Sequence, residues 1–334
     1  MEDRMAARSA ERAVPGRTRV GPSLSRAVLT AVAAASAMQC ALTVAGVGNT
    51  VMTGREADDS GVALFTATLC AGVAIPAVLF LRRRVDGRDL RSMGLAPAGR
   101  ALRGILGGVI VRVGVGVAVL AVASGAGAIT WNTPDPVQLT YFLLTNAVIA
   151  LLLEALPEEI VYRGYVLTTL SETGRVVLAP VLTTVLFAIM PGFGTVLDRL
   201  AQMALGLPAG PIGFAPPGRH PVDYLILMVV FGAALVAVRL ATGSVWPGVG
   251  IHIGFLTINR IVLEGGSREA GLEARFTDPA VILLIPAYVL VAALVVVAVR
   301  IGPRLRGRTT RGGGRHVPAP PGERHDERRR KVSG

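Results

Sequence analysis

Charged residues are scarce in this chain, and that scarcity sets its class. They make up 17% of the 334 residues, whereas a soluble domain carries about a quarter. Hydrophobic residues make up 52%, and the mean hydropathy is +0.57. The apolar residues fall in long blocks rather than on the periodic faces of soluble helices or strands. This pattern excludes a pair of soluble domains and predicts one helical membrane domain.

Cysteine and histidine are also rare. The two cysteines, Cys40 and Cys70, fall inside apolar blocks, which excludes a disulfide framework and a cysteine-based metal site; we expect both to be small buried thiols. Of the four histidines, only His252 lies in an apolar block. A catalytic zinc ion usually needs about three protein ligands, so the histidine count disfavours a histidine-rich zinc site.

Eight apolar blocks are long enough to cross a hydrocarbon core, which takes roughly 20 helical residues. The sequence predicts an all-α, polytopic membrane bundle of about eight transmembrane helices. The fourth helix is expected to continue to about Leu170. Arg112, deep in the third block, is expected to have an acidic or carbonyl partner. The predicted spans are Ala27–Val47, Gly61–Leu81, Ile105–Ser124, Leu139–Leu156, Val176–Phe193, Val222–Val238, Val245–Val262 and Pro279–Val299.

Lysine is nearly absent, and arginine carries the net charge of +12. Arginines crowd the start of the chain, the loop 82–103 and the C-terminal tail, three segments that lie on one side of an eight-span bundle. By the positive-inside rule, that side is the cytoplasm. The sequence therefore predicts a multi-pass protein of the plasma membrane with both termini cytoplasmic. The basic charge fits membrane lipids as partners, and we expect no nucleic acid.

The organisation follows from the same blocks. Residues 1–26 and 303–334 are basic, rich in small residues and proline, and predicted to be disordered tails. Residues 27–302 form the predicted membrane domain. The glycine- and proline-rich stretch 203–221 is predicted to be a long loop between spans five and six.

The strongest polar cluster ends the fourth block, in the run from Glu154 to Gly164. Glu154 and Glu158 are four residues apart and share a helix face, and Glu159 and Arg163 have the same spacing and can pair. Pro157 frees a backbone carbonyl there. A helix end that reaches water with an ordinary ion pair would explain the cluster equally well. Ionisable groups inside a membrane nevertheless point to a functional site.

The run Glu158-Glu159-x-x-x-Arg163 resembles the first motif of the CPBP family, the type II CAAX prenyl endopeptidases and their bacterial relatives. The stretch 88–95 resembles the segment before a span in that family. Leu186-Phe187-Ala188 resembles the start of its second motif, and residues 243–247 with His252 resemble its third. The order and spacing fit over a core of about residues 85–262.

The resemblance implies peptide hydrolysis within the membrane, with a membrane-embedded peptide or protein as substrate or partner. It implies Glu158 as the general base, Glu159 and Arg163 as the rest of the first motif, and His252 as the third-motif histidine. It also implies a second-motif histidine and an asparagine four residues after the last histidine. The family's chemistry is described both with zinc and as a metal-free base and oxyanion site, so zinc is the one cofactor that the resemblance suggests.

The sequence departs from this pattern at two positions. Pro191 stands where the second-motif histidine is expected, and Leu256 stands where the asparagine is expected. Asn259 lies two turns beyond His252, and Glu154 lies one turn before Glu158. Either is a candidate to complete the site. His252 and Glu158 are the only family-position candidates for a metal.

Three hypotheses follow from these residues. The first is an intramembrane endopeptidase with an impaired or inactive site. The second is a non-catalytic member of the same family that binds or regulates a membrane partner. The third and weakest is a transporter with Glu154, Glu158 and Arg163 along a polar pathway, which the lack of an internal repeat disfavours.

Overall fold

The computed structural model describes residues 21–53, 60–215, 220–277 and 279–311. Within these residues the chain forms eight long helical segments and one small two-stranded sheet. They are α1 (Leu24–Thr53), α2 (Ser60–Phe80), α3 (Ala98–Gly125), α4 (Pro136–Ser171), α5 (Leu178–Ala204), α6 (Pro221–Thr242), α7 (Trp246–Glu264) and α8 (Leu284–Arg311). The predicted all-α membrane bundle is therefore confirmed.

Seven of these helices are long and apolar enough to cross a membrane. The eighth, α7, has 19 residues and packs largely inside the bundle. Its mean hydropathy is lower because it carries polar residues, among them His252, Asn259 and Arg260. Their side chains contact residues of α4 and α8. The α4 segment runs on to Ser171, as predicted for the fourth span.

Two short strands form an addition that the sequence did not predict. Strand β1 (Ile129–Trp131) follows α3, and β2 (Ala274–Phe276) precedes α8. They pair antiparallel, with Ile129 opposite Phe276. The pairing ties the α3–α4 connection to the α7–α8 connection at one end of the bundle.

Helices α3 and α7 approach closely through glycine. A methyl group on Gly250 would lie 2.0 Å from the carbonyl oxygen of Ile105, and one on Gly108 would lie 2.3 Å from that of Pro247. Small residues allow backbones inside a membrane to come this close. The contact fixes α7, and with it His252, against α3.

The α4 helix is irregular around its acidic cluster. A five-residue π-helical turn, Leu151–Ala155, precedes Glu158, and an eight-residue one, Glu159–Val166, follows it. Pro157 lacks the amide that would bond to the Leu153 carbonyl, and the Cys70 thiol lies 3.7 Å from that carbonyl and donates to it. π-Turns are rare and are frequent at functional sites.

The two cysteines have different surroundings. Cys70 is buried, as expected, whereas Cys40 is exposed on the bundle surface. The expectation of two buried thiols was therefore wrong for Cys40, because α1 turns that face outward.

The ends of the predicted membrane domain differ slightly from the structure. Helix α1 begins at Leu24, inside the predicted tail 1–26, and α8 continues to Arg311, past residue 302. The remaining tail residues, 1–20 and 312–334, lie outside the described residues. The disorder of both tails, the plasma-membrane location and the cytoplasmic termini stay predictions.

Candidate intramembrane site

Glu158 and His252 face each other across the bundle. The Glu158 Oε2 atom lies 3.8 Å from Nε2 of His252, which is buried on α7. The structure thus brings together the two residues that the resemblance relates, and their catalytic roles stay a prediction. The Glu158 side chain keeps 18% exposure, whereas that of His252 keeps 3%. Of the two, the carboxylate is therefore the more accessible group.

Glu159 and Arg163 form a buried ion pair behind this carboxylate. Arg163 Nη1 donates to Glu159 Oε1 at 3.1 Å, and both side chains are essentially inaccessible. Arg163 Nη2 also donates to the Gly232 carbonyl on α6 at 3.2 Å. The pair forms one turn along α4, as the spacing predicted, and it joins α4 to α6.

Glu159 also faces the second nitrogen of the histidine. Its Oε1 lies 3.4 Å from His252 Nδ1, outside hydrogen-bonding geometry. Gly248 makes this approach possible, because a methyl group there would lie 2.6 Å from Glu159 Oε2. The imidazole thus sits between two carboxylates, one on each ring nitrogen.

Aromatic rings hold the imidazole and the guanidinium in place. Phe231 meets His252 edge-on, with ring centroids 4.7 Å apart. Arg163 lies over the Phe187 ring at 4.2 Å from its centroid. These rings pack against the charged groups, and the Glu159–Arg163 pair is almost fully shielded from solvent.

A cavity of about 70 Å³ opens in front of Glu158 and His252. Both positions where the sequence departs from the family pattern line it, since Pro191 enters from α5 and Leu256 from α7. The substitutions therefore fall in the candidate site itself. The cavity is lined by Gln39, Glu154, Glu158, Tyr162, Phe187, Pro191, Tyr224, Met228, Phe231, His252, Phe255 and Leu256.

Of the two residues suggested to complete the site, one lies in it. Glu154 lines the cavity and pairs with Arg260, which also donates to Asn146 Oδ1 at 2.7 Å. Asn259 instead accepts a hydrogen bond from the Tyr288 hydroxyl on α8 and does not line the cavity. Asn259 therefore does not stand in for the missing asparagine.

Gln39 is a site residue that sequence reasoning missed. It is buried on α1, lines the cavity and brings a side-chain amide beside Tyr162. Its only signal in the sequence is an amide within a run of small apolar residues. Nothing in that run relates it to the motif residues of α4, α5 and α7.

Arg112 has surroundings other than those expected. Its guanidinium is fully buried and stands over the Tyr288 ring at 4.0 Å from the centroid. Among the described residues, no carboxylate pairs with it. Two rings, those of Tyr288 and Phe255, supply the partner surface in place of an acid.

The side chains present do not fit a catalytic zinc ion. His252 and Glu158 offer two ligands, and the third nearby candidate, Glu154, is paired with Arg260. Within the described part of the chain, no group of three or more histidine, cysteine, aspartate or glutamate side chains is arranged to hold a metal ion. A zinc site usually takes about three such ligands, so we derive no step through a metal.

The fold and this site define a polytopic membrane protein with a carboxylate–imidazole pair inside its helix bundle. Residues 138–258 match the family described as type II CAAX prenyl endopeptidase Rce1-like. This match supports the resemblance to the CPBP family that was drawn from the motifs. The matched segment contains Glu158, Pro191, His252 and Leu256. The chain matches no curated protein and no solved structure.

Proposed function

We propose that the protein is an intramembrane endopeptidase that hydrolyses membrane-delivered peptides slowly, with Glu158 as the general base. The observation that carries the proposal is the shared cavity of Glu158 and His252, whose facing atoms are 3.8 Å apart. The family match over residues 138–258 supports the reaction class, and the site geometry supports the roles.

The reaction needs few groups. Glu158 accepts a proton from a water molecule, whose oxygen attacks the carbonyl carbon of the scissile amide. His252 donates a hydrogen bond from Nε2 to the oxyanion that forms. The proton on Glu158 then passes to the amide nitrogen, the carbon–nitrogen bond breaks, and a carboxylic acid and an amine leave.

The remaining site residues position these two. The Arg163 guanidinium compensates the charge of Glu159, so that carboxylate stays beside His252 Nδ1 without a second unpaired charge in the bundle. Glu159 packs beside Nδ1 and so keeps the opposite nitrogen, Nε2, directed at Glu158 and the cavity. Glu159 and Arg163 are therefore positioning residues, whereas Glu158 and His252 touch the reacting atoms.

The slow rate follows from the cavity walls. Pro191 and Leu256 present apolar surface where the family has a histidine and an asparagine. Loss of an acid–base group costs about 10²–10⁴-fold in rate, and loss of an oxyanion donor costs about 10²–10³-fold. These losses do not simply add, because the groups of one site act together.

The same apolar walls favour a second candidate, a family member that binds a membrane peptide without cleaving it. A cavity of about 70 Å³ has room for a few water molecules but not for a peptide segment. Both candidates therefore require the lining helices to separate when a peptide binds.

Peptide cleavage in nanodiscs distinguishes the candidates. The substrate is a library of quenched-fluorescence membrane peptides, with lipidated and unlipidated members. We expect the unmodified protein to turn over more slowly than about 1 per second, and Glu158→Gln to reduce cleavage about 100-fold or more. Glu264→Gln, at the far end of α7, is the matched control.

Each outcome has a clear meaning. Cleavage by Glu158→Gln at the unmodified rate would refute the role of Glu158 as base. Equal absence of cleavage in both proteins, with a peptide retained on the unmodified protein, would assign the chain to the second candidate. Cleavage faster than about 1 per second that depends on Glu158 would refute the slow rate drawn from Pro191 and Leu256.

A further inference from the structure

A second cavity lies at one end of the bundle, away from the candidate site. Its volume is about 320 Å³, and it is lined by Pro22, Arg26, Asp86, Gly87, Arg88, Thr169 and Glu172. We call it the helix-end cleft. Three helical segments end around it: α1 begins at Leu24, the span of α2 extends to Val85, and α4 ends at Ser171.

The charged side chains at the cleft differ in how closely they are paired. The fully buried Arg82 donates to Glu172 Oε1 at 2.5 Å and lies 3.5 Å from Asp86 Oδ2. It also donates to Glu172 Oε2 at 3.4 Å and to the Ser92 hydroxyl at 2.7 and 3.2 Å. Arg82 therefore contacts both carboxylates of the cleft and offsets one of their two negative charges.

Two further guanidiniums remain on the cleft wall. Arg26 donates a hydrogen bond from Nη2 to the Val85 carbonyl at 3.0 Å. Arg88 lies 3.7 Å from Glu172 Oε2, beyond hydrogen-bonding distance, and keeps 25% exposure. With the buried Arg82 counted, three guanidiniums lie beside two carboxylates, an excess of one positive charge around the cleft.

The position of the cleft points to the source of an anion. Ends of membrane-spanning helices lie at the level of lipid headgroups, and a guanidinium matches a phosphate with two parallel hydrogen bonds. Leu29, one turn along α1 from Arg26, is 68% exposed, and Phe80 at the end of α2 is 60% exposed. Apolar surface for acyl chains thus continues from the basic wall.

From this geometry we propose that the helix-end cleft binds the phosphate of an anionic phospholipid, with Arg26 and Arg88 as its direct ligands. Arg82 pairs with the two acids that also line the cleft and so reduces their repulsion of the phosphate. The bound lipid joins the start of α1 to the ends of α2 and α4. This proposal does not depend on peptide hydrolysis.

Lipid binding by the detergent-solubilised full-length protein tests the proposal. Native mass spectrometry with added phosphatidylglycerol measures its retention on the unmodified protein, on Arg26→Gln/Arg88→Gln and on the control Arg100→Gln/Arg103→Gln. The control removes the same charge from exposed positions on α3 that do not line the cleft. We expect about ten- to hundredfold weaker binding to the cleft variant, the range for loss of charged hydrogen bonds, and unchanged binding to the control.

Two further ligands distinguish a lipid phosphate from a free phosphate. Phosphatidylcholine, a net-neutral lipid, is expected to bind more weakly than phosphatidylglycerol, and soluble glycerol 1-phosphate is expected not to compete. Equal losses in the two variants would overturn the proposal, because the binding would then follow net charge alone. Competition by soluble glycerol phosphate at lipid-like affinity would overturn the assignment to a lipid.

The single variant Arg88→Gln tests whether a loss of binding in the double variant reflects misfolding. It removes only the 3.7 Å approach to Glu172 and leaves the Arg26 and Arg82 contacts in place. We expect it to fold like the unmodified protein and to bind phosphatidylglycerol several-fold more weakly. Undiminished binding to this variant would show that Arg88 is not a ligand and would overturn the proposal.

Discussion

Replacement of Arg163 by methionine should destabilise the bundle strongly. Arg163→Met removes the 3.1 Å bond to Glu159, the 3.2 Å bond to the Gly232 carbonyl and the stacking on Phe187. It also leaves Glu159 as a buried carboxylate without a compensating cation. Breaking a buried pair by removal of one partner costs about 3–5 kcal/mol, so we expect a loss in that range.

The chain supplies a matched control for this variant. Arg268 pairs with Glu264 at the same four-residue spacing, but the two side chains are 48% and 34% exposed. Exposed ion pairs contribute about 0.2–1 kcal/mol, so Arg268→Met, in the turn after α7, should change stability little. The two variants lose the same residue type and the same spacing, and they differ in burial.

Reversible unfolding in mixed detergent micelles measures both free energies. The double variant Glu159→Gln/Arg163→Met should recover part of the loss, because no charge is then left buried without a partner. Equal small losses in Arg163→Met and Arg268→Met would refute the reasoning. A double variant less stable than the sum of its single variants would refute it as well.

Three further predictions concern topology, packing and the site. Reporter fusions after residue 26, after residue 90 and at the C-terminus should all give a cytoplasmic signal, and an external signal from the 82–103 loop would contradict the eight-span topology. Gly250→Ala should cost about 1–3 kcal/mol because its methyl group would meet the Ile105 carbonyl, whereas Gly107→Ala, with no neighbour within 4 Å, should cost little; equal unfolding free energies would rule out the close α3–α7 contact. The double change Pro191→His/Leu256→Asn should raise peptide cleavage, and an unchanged rate in a folded variant would argue against these positions as the cause of slow turnover.

Most of the membrane helices could be predicted from the sequence, because a helix that faces lipid appears there as a long apolar block. The length of the fifth helix was underestimated most, because Asp198 and Arg199 interrupt the apolar run after Phe193. In the structure α5 continues through them, because Asp198 accepts a hydrogen bond from Thr43 at 2.5 Å and Arg199 donates to the Gly210 carbonyl at 2.9 Å. Partners from other parts of the chain satisfy groups that would otherwise end a membrane helix.

Site residues could be predicted only where they belong to a sequence motif. Glu158 and His252 were related through the family pattern, and the i, i+4 spacing alone predicted the Glu159–Arg163 pair. Gln39 was not predictable, because its place in the cavity depends on how α1 packs beside α4 and α5. The partners of Arg112 could not be predicted either, because they are uncharged aromatic rings that the sequence does not distinguish from other apolar residues.

The Glu159–Arg163 pair also has a consequence for biogenesis. Both charges belong to one helix and lie one turn apart, so α4 can enter the membrane with this pair already neutralised. Glu154 differs, because its partner Arg260 belongs to α7 and is synthesised about a hundred residues later. The imidazole that faces Glu158 arrives on the same late helix. The cavity is therefore completed only when α7 docks, and a chain interrupted before α7 would hold an acidic α4 without its counterion.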